Sequence, residues 1–125
     1  MPEIKQGLNL GDLLKYEAPN LYSRERVTVA AGQTLALGTV LGEVTASGEL
    51  TALDPAAEDG SEVAVGVLLQ AIDASAGART DGLIAARHAI LADHALTWPA
   101  TITPAEQAAA IAQLKARGLL VRQGV

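Results

Sequence analysis

The residues best suited to chemistry in this sequence are its two histidines, His88 and His94, with Asp93 beside the second. Two imidazoles and a carboxylate form a ligand set that zinc accepts. If one strand continued through this region, the histidines would share a face about 20 Å apart, and Asp93 would lie on the other face. A single ion cannot bridge that distance. The spacing therefore favours histidines that hydrogen-bond locally over a metal site.

Nucleophilic and phosphate-binding motifs are absent from the sequence. It has no G-x-S-x-G elbow, no S-x-x-K and no cysteine. Ser47, Ser61 and Ser75 lie in turn-like surroundings, where serine commonly hydrogen-bonds the backbone. Gly38 and Gly42 are not followed by the G-K-[ST] ending of a phosphate-binding loop. We therefore predict no catalytic residue and no cofactor site.

A third candidate is the acidic loop over residues 54–62. Its carboxylates could be imagined around calcium, but the spacing of an EF-hand is missing. The carboxylates are Asp54, Glu58, Asp59 and Glu62. We predict that they solvate a surface, and we predict no metal site.

The bulk composition limits the class of protein. The chain has 125 residues, enough for one domain, and its only aromatic residues are Tyr16, Tyr22 and Trp98. The core must be built from aliphatic side chains, with Trp98 as its largest predicted member. No stretch approaches the roughly 20 apolar residues of a membrane span, and residues 1–6 do not have the pattern of a signal peptide. We expect no membrane partner.

The net charge of −5 is unevenly distributed. Residues 1–26 sum to zero, residues 27–86 carry one arginine against eight carboxylates, and residues 87–125 carry four basic groups against two acidic ones. Phosphate binding needs clustered Lys or Arg. Because no such cluster is present, nucleic acid is not an expected partner.

The pattern of the chain predicts a mainly β domain over residues 24–125, preceded by a flexible arm over residues 1–23. The arm has no clean hydrophobic period, and a helical turn near Asp12 is too short to be stable alone. Strands are predicted near residues 24–29, 34–45, 50–53, 63–72, 83–91 and 119–121, with loops at 54–61 and 75–82 and a hairpin tip at Ser47-Gly48.

One C-terminal helix is predicted over about residues 104–117. Thr103 can cap its N-terminus, Pro104 suits the first position, and Glu106 completes a capping box. Its predicted apolar stripe comprises Ala108, Ile111 and Leu114. Gly118 is predicted to end the helix.

Several stretches together resemble one family. They are residues 11–25 (GDLLKYEAPNLYSRE), 27–35 (VTVAAGQTL), 38–42 (GTVLG), 59–60 with 65–68 (DG and VGVL) and 95–99 (ALTWP). Their order and spacing resemble the lambda-type bacteriophage head decoration protein, protein D, over roughly residues 11–122. The Trp-Pro pair just before a C-terminal helix is part of that resemblance.

The resemblance implies a β-clip-like domain that forms a homotrimer on the outer surface of an expanded phage head in the virion, after synthesis in the host cytoplasm. It also implies that an N-terminal segment orders against the major capsid protein. In this sequence that segment falls within residues 1–23. Its expected contact residues are Tyr16, Glu17, Ala18, Pro19, Asn20, Leu21 and Tyr22.

Two other classes of function remain open on the residues alone. Strands interrupted by glycine, as over residues 27–45, are also typical of lipoyl or biotinyl carrier domains. Such a domain carries its cofactor on a lysine of a hairpin, but the hairpin tip at 46–49 contains no lysine. A small hydrolase or metal enzyme would have to use His88, Asp93 and His94, and metal analysis would reveal it.

Overall fold

The computed structural model describes residues 9–19 and 22–123. Within these ranges the chain is mainly β with a C-terminal helix, as predicted. The strands are β1 (Leu14–Glu17), β2 (Arg24–Val29), β3 (Thr34–Leu35), β4 (Val40–Glu43), β5 (Leu50–Ala52), β6 (Ala64–Leu68), β7 (Ile72–Asp73), β8 (Arg79–Ala85), β9 (Ala89–Ala92) and β10 (Leu119–Arg122). The helices are α1 (Leu10–Leu13) and α2 (Pro104–Ala116), with a short 3-10 helix at Asp93–Ala95. The β-clip topology stays a prediction.

Five strands form a closed barrel in the order β2-β5-β4-β6-β8. Closure gives each barrel strand two hydrogen-bonded neighbours, so the barrel has no open edge. Aliphatic side chains from these strands and from the β3–β7 ribbon form one core cluster. Its largest members are Val29, Leu35, Leu41, Leu50, Leu68, Ile72 and Ile84.

A second sheet, with the order β1-β9-β10, lies beside the barrel. Strand β1 is antiparallel to β9, whereas β10 is parallel to it. A larger core cluster joins this sheet to α2 and to the barrel. Among its members are Leu13, Val40, Val67, Leu91, Leu114 and Leu119, all completely buried.

The helix α2 begins and ends where its capping residues predict. The Thr103 hydroxyl accepts from the Glu106 N–H at 3.1 Å, and the Glu106 carboxylate accepts from the Thr103 N–H at 2.9 Å. The predicted apolar stripe is wrong in one position, because Ala110 is buried with Leu114 while Ala108 is exposed. In so alanine-rich a helix, several faces carry similar residues, and contact with the sheet selects among them.

The region 75–91 differs from the prediction in two ways. Strand β8 begins at Arg79, inside the predicted loop, because Arg79 pairs with Val29 of β2. The predicted strand 83–91 is interrupted after Ala85, where the chain leaves the barrel for the second sheet. His88 marks that turn with a φ of 50°, a left-handed conformation that is uncommon for residues other than glycine.

Part of the predicted arm is packed onto the domain. The N-cap of α1 is Asn9, whose side chain accepts from the Asp12 N–H at 3.0 Å, so the helical turn starts earlier than predicted. Leu13 is completely buried in the larger core cluster. Strand β1, which follows, pairs with β9, since Leu14 lies opposite Leu91 and Tyr16 opposite Ile90. Residues 10–17 are therefore an element of the folded domain in this structure.

Gly42 provides a direct test of the barrel's packing. A Cβ at this position would lie 2.1 Å from the Ser61 carbonyl oxygen and 2.7 Å from the Ser61 Cα. Because those atoms are backbone, we expect Gly42→Ala to lower the free energy of unfolding by about 1–3 kcal/mol or more. Urea denaturation measures the change. Gly77→Ala is the matched control, since a Cβ there meets nothing within 4 Å. Equal stability of the two variants would contradict the packing.

Candidate functional site

The outer face of the second sheet carries a row of apolar side chains. Ile90 of β9 is in register with Tyr16 of β1 and with Leu120 of β10, so the three side chains lie next to one another on the same face. Tyr16 is 54% exposed, and Ile90 and Leu120 are partly exposed. The neighbouring residues Leu91 and Leu119 point to the opposite face and are completely buried. The sheet thus has apolar side chains on both faces, and the residues that the structure describes cover only one of them.

Tyr22 extends this row at one side. Its ring is 53% exposed and lies 5.3 Å from the His88 ring, centroid to centroid. The Arg87 guanidinium carbon lies 5.2 Å from the Tyr22 ring centroid, within the range of a cation–π contact. Arg87 also donates to the Tyr22 carbonyl oxygen at 2.7 Å and forms an ion pair with Glu25. The exposed ring is therefore held in a defined position.

A shallow cavity of about 240 Å³ lies on this face. It is lined by Tyr16, His88, Ala89, Ile90, Gly118 and Leu120. Gly118 has a φ of 81°, and a Cβ there would lie 2.7 Å from the His88 Cδ2 atom. The glycine thus allows the end of α2 to approach the imidazole closely. We call the surface formed by Tyr16, Tyr22, His88, Ile90 and Leu120 the aromatic face.

Two contacts attach the segment between β1 and β2 to the domain. Glu17 and Arg24 form a bidentate ion pair, with bonds of 2.7 and 2.8 Å. The buried Ser23 hydroxyl accepts from the Ala18 N–H at 2.8 Å and donates to the His88 carbonyl oxygen at 2.7 Å. These contacts fix both ends of the segment that joins Tyr16 to Tyr22.

The sequence model of one family, the bacteriophage lambda head decoration protein D, matches residues 3–119 of this chain. The match covers most of the 125 residues. The chain belongs to the lambda head decoration protein D family. A search of curated proteins found no match to it.

Membership in this family supports a role in decorating a phage capsid. The family consists of structural proteins of the capsid, which implies that this decoration protein binds the phage head and is located in the virion. Among the helices that the structure describes, none is long and apolar enough to cross a membrane. Two of the exposed large apolar side chains of this decoration protein, Tyr16 and Tyr22, lie in the aromatic face.

The structure places five of the seven predicted contact residues. Tyr16 and Tyr22 are exposed, as contact residues must be, and Pro19 is also exposed. Glu17 and Ala18 are partly buried and bind the domain through Arg24 and Ser23. The predicted contacts Asn20 and Leu21 lie outside the described residues. The role of all seven at a capsid stays a prediction.

Sequence reasoning did not include His88, Ile90 and Leu120 in the site. All three lie far from the N-terminal segment in the sequence. Ile90 and Leu120 join Tyr16 through strand pairing, and His88 contacts the Tyr22 ring. One signal was present in the sequence: Leu119-Leu120-Val121 is apolar at consecutive positions, although a strand with one solvent face normally alternates.

The residues considered for metal binding are separated by strand β9. His88 precedes β9, whereas Asp93 and His94 lie in the 3-10 helix after it, and both imidazoles are exposed. Among residues 9–19 and 22–123, no group of three or more His, Cys, Asp or Glu side chains is arranged to hold a metal ion. Trp98 is packed against the larger core cluster but is only partly buried.

The acidic loop uses its carboxylates to hold its own backbone. Asp59 accepts from the Ser61 hydroxyl at 2.5 Å and from the Ser61 N–H at 3.0 Å. Hydrogen bonds from Ser61 lower the pKa of Asp59 below its ordinary value. Asp54 accepts in the same way from the Ala56 N–H at 3.1 Å. In these contacts the carboxylates of Asp54 and Asp59 accept hydrogen bonds from the backbone of the loop and so stabilise its conformation.

The Glu17–Arg24 ion pair predicts a pH-dependent stability. Hydrogen bonds from Arg24 lower the pKa of Glu17 below its ordinary value of 4.5. Since the folded-state pKa is the lower one, the stabilisation is fully present above about pH 4.5 and is lost as the pH falls through the folded-state pKa. We expect Glu17→Gln to cost about 0.5–1 kcal/mol near neutral pH and progressively less in acid.

Chemical denaturation of both proteins across this pH range measures the effect. The exposed Glu58 forms no ion pair within the described part of the chain, so Glu58→Gln is the control. A Glu17→Gln deficit that persists unchanged at pH 3 would show that the pair acts through packing rather than charge.

Proposed function

We propose that this protein binds the exterior of the expanded phage head as a homotrimer and stabilises the shell against the pressure of packaged DNA. Its N-terminal segment, residues 1–23, contacts the major capsid protein, and the aromatic face continues that contact onto the domain. The observation that carries the proposal is the pair of exposed tyrosines, Tyr16 and Tyr22, on a member of the head decoration family. Exposed apolar patches of this kind mark protein–protein contacts.

Preorganisation supports this mode of binding. Ordering a residue costs about 1–2 kcal/mol of backbone entropy, so a seven-residue segment ordered only on the capsid would lose roughly 7–14 kcal/mol. In this structure Tyr16 already belongs to a paired strand, and Tyr22 is already held by Arg87. The entropic cost of positioning these two rings is therefore met when the domain folds.

The contact energies are consistent with a capsid attachment that requires several copies of the protein. About half of the 150–250 Å² of each tyrosine remains to be buried, which at about 25 cal/mol per Å² contributes roughly 2–3 kcal/mol per ring. Three joined subunits bind with an effective-concentration advantage of about 10²–10⁴. A moderate contact repeated in a trimer thus gives firm attachment, and closed cyclic symmetry is common among oligomers.

Expanded, undecorated heads provide the test. We expect the purified protein to bind them in multiples of three copies and to raise the temperature at which DNA-filled heads break. A chain lacking residues 1–8 retains Asn9, the N-cap of α1, and therefore all described elements. We expect this shortened chain to stay folded but to bind heads less tightly, because part of the capsid-binding segment is gone.

A chain lacking residues 1–22 is the less useful variant, because it also loses the buried Leu13. Co-sedimentation with heads measures occupancy, and circular dichroism checks the fold. Heads that gain neither bound protein nor heat resistance would contradict the proposed function. Undiminished binding by the folded, shortened chain would restrict the contact to residues after 8.

A further inference from the structure

The β4–β5 hairpin, which turns at Ser47-Gly48, contacts two surfaces of unlike charge. One is the open mouth of the barrel, a cavity of about 350 Å³ lined by residues from all five barrel strands. Its apolar lining is formed by Val27, Leu50, Val65, Ile84 and Ala86. Its charged lining is formed by Arg26, Arg87 and Arg117 with Glu25 and Glu43. We call this cavity the basic mouth.

Two of the three arginines are available for a partner. Arg87 is engaged by Glu25. Arg26 and Arg117 are exposed, and neither forms an ion pair with a carboxylate among residues 9–19 and 22–123. The basic mouth thus presents two exposed guanidinium groups on a chain whose net charge is −5.

The acidic loop, residues 54–62, also packs against this hairpin and has four carboxylates and no basic residue. The Thr45 N–H in the hairpin donates to the Asp59 carbonyl oxygen at 2.8 Å, which fixes the loop against the hairpin. Glu62 accepts from the Gly60 N–H at 2.8 Å, so the loop is also braced internally. Glu58 is exposed, and Val63, directly after the loop, is 40% exposed.

We infer that the acidic loop of one copy docks in the basic mouth of the next copy, with the β4–β5 hairpin at their junction. The carboxylates of the loop, including the exposed Glu58, are opposite in charge to the exposed Arg26 and Arg117. A contact between two different surfaces of identical chains is head-to-tail, and such contacts form a ring when the rotation between copies closes. This inference rests on the proposed homotrimer and identifies the surfaces that form it.

Cysteine trapping tests the contact cleanly, because the chain has no native cysteine. A Glu58→Cys/Arg117→Cys chain places one thiol on each surface while leaving Glu62 and Arg26 in place. After treatment with a short thiol-reactive crosslinker, we expect covalent dimers and trimers on a denaturing gel. Each single-cysteine chain should yield no trimer. An Ala78→Cys/Arg117→Cys chain is the matched control, since exposed Ala78 lies at the far end of β8 from the mouth.

The trapping is done both on decorated heads and in concentrated protein without heads. Covalent trimers in either setting support the inference. Trimers in neither setting overturn it, even if the protein binds heads normally, and in that case decoration itself stands. Dimers that never extend to trimers also overturn it, because they indicate a two-fold contact.

Charge reversal supplies a second measurement. We expect Arg26→Glu/Arg117→Glu to reduce the trapped trimer at least tenfold when combined with the cysteine pair Ala56→Cys/Ala116→Cys. Adding Glu58→Lys and Glu62→Lys to the same chain reverses both surfaces and should restore trapping. A doubly reversed chain that folds but does not recover would overturn the assignment of charges.

Discussion

Replacing Leu13 by alanine is expected to lower the free energy of unfolding by about 2–5 kcal/mol. Leu13 lies in a segment that resembles an arm by sequence, yet its side chain is completely buried among the members of the larger core cluster. Removing it leaves a cavity between α1, β9 and the 3-10 helix, and the surrounding backbone can relax only partly. Urea denaturation followed by circular dichroism measures the loss.

Lys15→Ala is the control for this variant, because Lys15 is exposed in the adjacent strand β1. Its expected change lies within about 0.5 kcal/mol. If Leu13→Ala were as stable as Lys15→Ala, residues 10–17 would contribute nothing to the folded domain. The capsid-binding segment would then become ordered only on the phage head, and Tyr16 would not be positioned before binding.

The second large effect is expected at the aromatic face. Tyr16→Ala/Tyr22→Ala removes two rings that are each about half exposed, so the variant also loses their buried halves, and urea denaturation must show that it is folded under the binding conditions. A loss of about 2 kcal/mol per ring corresponds to roughly thirty-fold in affinity for each contact. Because three copies bind together in the proposed trimer, the loss in head occupancy should exceed that of one subunit alone.

Tyr16→Phe/Tyr22→Phe separates the apolar contribution from that of the hydroxyl groups. This variant keeps both rings, and we expect it to retain most of the binding. Titration of expanded heads with each protein, followed by sedimentation, gives the occupancies. Normal binding by the double alanine variant would remove the aromatic face from the capsid contact, and the N-terminal residues before it would have to carry the attachment.

The proposed capsid contact and the proposed subunit contact differ in their chemistry. The aromatic face, proposed to contact the shell, is apolar and already positioned in the folded domain. The basic mouth and the acidic loop, proposed to join identical subunits, are oppositely charged surfaces that both contact the β4–β5 hairpin. Electrostatic complementarity contributes more to orientation and specificity than to affinity.

Local signals in the sequence were sufficient to predict the structural elements whose formation depends on neighbouring residues. The capping box of Thr103 and Glu106 predicted the start of α2, and Gly118 predicted its end. The hairpin turning at Ser47-Gly48 was likewise readable, because turn geometry depends on a few adjacent residues. The family resemblance came from the order of such local stretches, and the family match confirmed it.

Other features could not be predicted because they depend on partners that are distant in sequence. The start of β8 at Arg79 is set by pairing with β2, and the break at His88 is set by the passage from the barrel to the second sheet. The pairing of residues 14–17 with β9 is of the same kind, since β9 lies more than seventy residues further along the chain.

The amino-acid sequence alone determined the class of this protein: an aliphatic, cysteine-free, mainly β chain with one capped helix and the succession of motifs of a head decoration protein. Only the tertiary structure decided which apolar residues are core and which are surface. Leu13 and Tyr16 stand three positions apart in the same segment, yet one is completely buried and the other is about half exposed. Hydrophobicity predicts that burial of a side chain is favourable. The pairing of β1 with β9 determines whether that side chain is buried inside the domain or stays exposed to a partner.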